Sequence, residues 1–298
     1  MKKVLLQAVT LCLVAQLATA QIRLPQPSPS ATSMQTIGTT DVTVKYSRPS
    51  VKGREIFGQL VPYGQLWRTG ANAATTFQTS TDVMVQGQKL PAGTYSLFTI
   101  PAQDEWTLIF NKNAQASGDA YKQEEDALRV KIKPMPTSEK MESFFIGFSD
   151  LTDSTAKMNI AWANIKAAAD LMVDVTANAQ ANVEKAVAEK PEDPGVLTQA
   201  AAWNLSKGRN LEQALAWSDK AIGLKETFRN VWTKAQILAK MGKFAEALPL
   251  AQRALSIGQT SGDPAFPFFK DAIAKGVADY TSKLPALPTA VKGKKKKA

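Results

Sequence analysis

Four cationic side chains, Arg48, Lys52, Arg54 and Arg68, fall within 21 residues, and Glu55 is the only acid among them. Phe57, Tyr63 and Trp67 are interleaved with these cations, and Asn72 follows. Pro49, Gly53, Gly58, Pro62, Gly64 and Gly70 constrain the path of the chain between them. A guanidinium matches a carboxylate or phosphate through two parallel hydrogen bonds. An aromatic face suits the apolar side of a sugar ring. Long constrained loops on a β scaffold are common places for binding residues. Arg48, Arg54, Trp67, Arg68 and Asn72 are therefore the candidate ligand-binding residues, for an anionic or glycan ligand. The competing reading pairs the arginines with Asp or Glu of the same domain and buries the aromatics in the core. The sequence leaves both open.

Other chemistries are excluded by what the chain lacks. It has no histidine, and its one cysteine is Cys12. Serine–histidine–aspartate and cysteine–histidine hydrolysis are ruled out, and so is a zinc site built on nitrogen or sulfur. No phosphate-cradling glycine loop or dinucleotide fingerprint occurs, and no cofactor is expected. Acid–base work would fall to Asp, Glu, Lys or Tyr, which leans the reading away from an enzyme. An enzyme acting on envelope carbohydrate through paired acids remains the rival, and it needs two carboxylates roughly 5–10 Å apart across a cleft. Asp82, Asp104, Glu105 and Asp150 are the acids available for that role, and none stands in a motif.

The N-terminus reads as an export signal. Lys2 and Lys3 precede a mostly apolar run from Val4 to Leu17, and Ala18-Thr19-Ala20 is a small-x-small cleavage site. The run is too short and too interrupted for a membrane span of roughly 20 residues. Cleavage after Ala20 would leave a periplasmic or secreted protein without cysteine. The net charge of +10 comes from 36 basic and 26 acidic residues. Two of the lysines belong to the signal and five to the tail (Lys292 and Lys294 to Lys297), which leaves 29 cations against 26 anions in the body. That balance does not indicate a nucleic-acid partner.

Periodicity divides what remains. Residues 21–35 are rich in proline and serine and read as a linker. From 36 to 175 apolar residues recur at every second position: Val42, Val44 and Tyr46; Trp106, Leu108 and Phe110; Leu128, Val130 and Ile132; Met158, Ile160 and Trp162. This spacing predicts eight or nine short strands, each with one buried face, closing as a two-sheet sandwich or jelly-roll. From 176 to 284 the period becomes helical. Ala214, Leu215 and Ala221 recur as Ala247, Leu248 and Ala254, each offset by 33, in an arrangement similar to the tetratricopeptide repeat. Trp203, Trp217, Trp232 and Phe244 read as packing residues of these helices. Pro249 falls inside one helix, which normally costs about 3 kcal/mol. Residues 285–298 read as a solvated lysine-rich tail.

The stretch YSRPSVKGREIFGQLVPYGQLWRTGAN (46–72), followed by LPAGTYSLFTIP (90–101) and WTLIFN (106–111), resembles the domain of unknown function 2911 family. The resemblance covers roughly residues 30–175 and implies an exported, mostly β domain. The family has no assigned activity, so no catalytic residue carries over.

The expectation is thus a β domain followed by an all-α, tetratricopeptide-like module. Its function would be that of a periplasmic, non-enzymatic binding protein. An anionic or glycan ligand would sit on the β domain, and a protein partner on the helices. A carboxylate-dependent enzyme and a purely structural scaffold are the alternatives.

Overall fold

The computed structural model of the protein describes residues 24–116 and 118–285. The expected signal peptide, and the lysine-rich tail beyond residue 285, lie outside the described residues. The chain forms two compact units, divided between Val175 and Thr176.

Among the described residues the first unit holds ten antiparallel strands: β1 (Ser30–Ile37), β2 (Thr40–Ser47), β3 (Thr76–Thr79), β4 (Val83–Val85), β5 (Gln88–Leu90), β6 (Gly93–Ile100), β7 (Trp106–Asn111), β8 (Asp126–Ile132), β9 (Pro134–Ser149) and β10 (Thr155–Met172). They make a six-stranded sheet in the order β1-β2-β3-β6-β7-β8 and a four-stranded sheet in the order β5-β4-β10-β9. The β4–β5 turn is Gln86-Gly87, with φ of +49° and +74°. Two positive φ values in a two-residue loop match the twist of the flanking strands, and glycine carries the second without steric cost.

The core follows the alternation. Val42, Val44, Phe77, Leu97, Trp106, Leu108 and Phe110 from the larger sheet pack with Phe144, Ile146, Met158, Ile160 and Trp162 from the smaller one. Side chains on successive strand residues point to opposite faces, so every second residue enters this layer. The outer face of β7 departs from the expected wetter character, because Ile109 is buried with Phe98 and Ala116.

Two corrections concern strand ends. The segment read as a linker over 21–35 already contains most of β1, which pairs with β2 from Ser30↔Ser47 to Ile37↔Thr40. The prolines stop at Pro29, and an edge strand tolerates the polar side chains that follow. β10 continues well past Trp162 to Met172: register shifts around Ala163 let the strand bend while it stays paired with β9 as far as Ala167, and Leu171 and Met172 pair with β4.

The second unit contains α1 (Val175–Glu189), α2 (Pro194–Lys207), α3 (Leu211–Leu224), α4 (Phe228–Lys240), α5 (Phe244–Ser261) and α6 (Phe266–Ser282). Asp193 caps α2 by accepting from the amides of Gly195 and Val196, ahead of Pro194 in the first turn. Thr227 and Asn230 form a capping box at α4. Ala214, Ala221, Ala247 and Ala254 are all fully buried. These small residues recur at a 33-residue offset, and their size lets the helices approach closely. Pro249 sits inside α5 without ending it, and it is exposed. Trp232 is buried, whereas Trp203, Trp217 and Phe244 are half-buried. Among the described residues no helix is long and apolar enough to cross a membrane.

Candidate functional site

Residues 48–72 leave β2 and return toward β3 without forming regular strand or helix, and core anchors hold them in place. Trp67 exchanges two backbone hydrogen bonds with Thr99 of β6, at 2.8 and 2.9 Å. Its indole stacks on Trp162 and meets the edges of Phe57 and Phe144. Val51 donates its amide to the Glu142 carbonyl, and Phe144 donates to that of Pro49. Of the three interleaved aromatics, Phe57 is therefore core, Trp67 is half-buried, and Tyr63 is exposed.

Three residues in this stretch hold left-handed backbone without being glycine: Lys52 (φ +48°), Thr69 (+52°) and Asn72 (+59°). Thr69 is the outlier among them, because a β-branched side chain crowds that conformation. Its hydroxyl lies 2.6 Å from the Thr99 hydroxyl, and its carbonyl accepts from the Thr75 hydroxyl at 2.8 Å. Such conformations cost about 1–3 kcal/mol each and persist where surrounding contacts over-determine them, often at binding sites.

The loop borders an open cavity of about 570 Å³. Burial divides its lining into a floor and a rim. Pro49, Val61, Gly70 and Trp162 are buried, Trp67 and Arg68 are half-buried, and Lys52, Arg54, Leu60 and Asn72 are exposed. Pro27 and Ser28 complete the wall, with the Ser28 carbonyl accepting from the Asn72 side-chain amide at 3.0 Å. Three of the lining residues are cationic, and none carries a carboxylate.

The structure brings four of the five candidate residues into this lining: Arg54, Trp67, Arg68 and Asn72. Arg48 is not among them. Its Nε donates to the Phe144 carbonyl at 2.8 Å and its guanidinium lies 5.8 Å from the Phe145 ring, so it ties the loop to β9.

Among the described residues, Arg48, Arg54 and Arg68 make no ion pair with a carboxylate, which was the competing reading of them. Arg54 donates from Nε to the Val51 carbonyl and from Nη2 to that of Ser50, and Arg68 donates from Nη1 to the Asn72 carbonyl. Backbone carbonyls orient both guanidiniums without cancelling their charge. Glu142 accepts from the Lys52 backbone amide at 2.8 Å and lies outside the lining.

None of the acids nominated for hydrolysis lines this cavity. Asp82 is held by Lys89 at 2.7 Å and by the Ala92 amide, which keep its carboxyl below the usual aspartate range. Glu105 pairs with Lys131. Asp150 lines a separate cavity beside the Lys157–Asp170 ion pair. Among the described residues no group of three or more Cys, Asp or Glu could hold a metal ion.

Sequence reasoning missed two contributors. Trp162 read only as an inward-facing strand residue, and nothing in its spacing shows that it also floors a cavity formed by a distant loop. Pro27 and Ser28 were hidden in a segment whose composition suggests no fixed position.

Residues 28–171 match a family described as protein of unknown function (DUF2911). The β domain belongs to this family. The DUF2911 region runs from the Ser28 that closes the cavity wall to β10, so all of the lining except Pro27 lies inside it. The helical unit lies beyond the matched span. Among curated proteins none is similar to the chain.

Proposed function

We propose that this DUF2911 protein is an exported, periplasmic binding protein whose β domain holds a small anionic ligand in the loop cavity. The observation that carries the reading is the lining itself: Lys52, Arg54 and Arg68 share one cavity with no acid. Uncompensated cations on a fixed frame raise the local concentration of anions and need little reorganisation to bind them. The helical unit serves as a tetratricopeptide-like surface for a protein partner. Support for this comes from its two consecutive helix pairs with buried alanines at a 33-residue offset. Export rests on the charge, apolar run and small-residue site of the first 20 residues.

The anion reading is tested by calorimetric titration of the full-length protein with inorganic phosphate at low ionic strength. Saturable binding is expected. The Arg54→Ala, Arg68→Ala double variant should lose at least ten-fold in affinity while its stability changes by no more than about 1 kcal/mol. Arg48→Ala should instead lower stability by about 1–3 kcal/mol, because it leaves the Phe144 carbonyl without its charged donor. Absence of phosphate binding by the wild type, or a double variant that binds as tightly, would overturn the reading.

A further inference from the structure

We infer that the anion this cavity takes is a phosphorylated sugar. The inference rests on the anion-binding reading above and adds a ring to the charge.

Charge favours phosphate over a single carboxylate. Three cations line the cavity, and a phosphomonoester carries about −1.5 to −2 at neutral pH where a uronic acid carries one negative charge. The donors are available too. Arg54 spends Nε and Nη2 on backbone carbonyls, and Arg68 spends only Nη1. That leaves Nη1 of Arg54, and Nε and Nη2 of Arg68, without a partner among the described residues. Lys52 likewise makes no ion pair there. Each arginine is already oriented by its carbonyl contacts, and phosphate oxygens accept from such a set directly.

Size and polarity require more than phosphate. A volume of about 570 Å³ lies within the range of roughly 300–1,000 Å³ typical of small-molecule sites, and a lone phosphate would leave most of it to water. The remaining lining is apolar where it is deep and mixed where it is shallow. Val61 and Trp162 form the floor, with Trp67 partly exposed and Leu60 46% exposed beside the cations. A hexose fits that mixture, because its C–H face can lie on the exposed Leu60 side chain while its hydroxyls meet the Asn72 amide and Ser50. A nucleobase fits less well. Trp67 is already stacked at 5.9 Å on Trp162 and flanked by Phe57 and Phe144, so it does not offer the open ring face a base would need.

The test is calorimetry on the full chain with five probes: inorganic phosphate, glucose, glucose 6-phosphate, glucuronate and adenosine 5′-monophosphate. Glucose 6-phosphate should bind at least ten-fold more tightly than phosphate and more tightly than glucuronate or the nucleotide, and glucose should not bind measurably. The exposed Leu60→Ser change should bring glucose 6-phosphate close to the affinity of phosphate and leave phosphate itself unchanged. If glucose 6-phosphate binds no better than phosphate, the sugar is wrong and the anion site stands. Failure of both would overturn the two readings together. Tighter binding of the nucleotide, or of glucuronate, would replace the phosphorylated sugar with that class.

Discussion

The indole of Trp67 lies over that of Trp162 with centroids 5.9 Å apart and planes 16° from parallel. One ring belongs to the cationic loop and the other to β10, so this stack joins the candidate site to the core. Phe144 meets both rings edge-on, at 5.3 and 5.7 Å, and Phe57 packs between Trp67 and Trp106. The loop therefore carries its own hydrophobic anchor, and the cations ride on it.

If this anchor holds the loop, Trp67→Ala should destabilise the β domain by about 3 kcal/mol, the lower end for a large aromatic because the ring is only half-buried. Trp67→Phe, which keeps part of the contact, should cost less. Urea denaturation followed by near-ultraviolet circular dichroism measures both. A loss below about 1 kcal/mol for the alanine variant would show that the loop is held without the stack.

Two glycines of the helical unit should respond with opposite signs. A Cβ on Gly258 would lie 2.0 Å from the ring of Phe266, which is itself pinned edge-on against Phe228. Gly258→Ala should destabilise by about 1–3 kcal/mol, since neither ring has room to yield. Gly223 is exposed near the end of α3, and a Cβ there meets nothing within 4 Å. Gly223→Ala should stabilise by up to about 1 kcal/mol through helix propensity. Thermal melts of the two variants provide the comparison, and two shifts of the same sign would contradict it.

The Tyr121 hydroxyl is pushed up to about 12 by burial, by its hydrogen bond to Asp126 at 2.8 Å, and by the Asp126 charge. The folded state therefore holds this proton more tightly than the unfolded chain, whose tyrosine loses it near 10. Its contribution is complete below pH 10 and declines as pH rises from 10 toward 12. In denaturant titrations across that window, wild-type stability should fall more steeply than that of Tyr121→Phe. Parallel profiles would mean that the folded state does not hold this proton more tightly than the unfolded chain.

Much of the fold was legible because its signals are local. Val42 and Val44, Trp106 and Leu108, and Met158 and Ile160 alternate with more polar residues and are all buried, since a strand turns every second side chain to the same face. The change to helical period and the alanines at 214, 221, 247 and 254 marked the second unit for the same reason. Strand adjacency was not legible. β3 pairs with β6 and β4 with β10, and those choices depend on the packing of whole sheets.

The candidate site divides along the same line. Charge count and glycine–proline spacing sufficed to single out the loop, because composition reports how many cations must be accommodated nearby. Composition does not report where each guanidinium finds its acceptor. Arg48 turns to the Phe144 carbonyl of β9, while Arg54 and Arg68 are held by carbonyls of their own loop and line the cavity. Backbone carbonyls are identical in every residue, so only the tertiary structure decides which of them meets an arginine. That choice separates one structural staple from two cations that line the cavity.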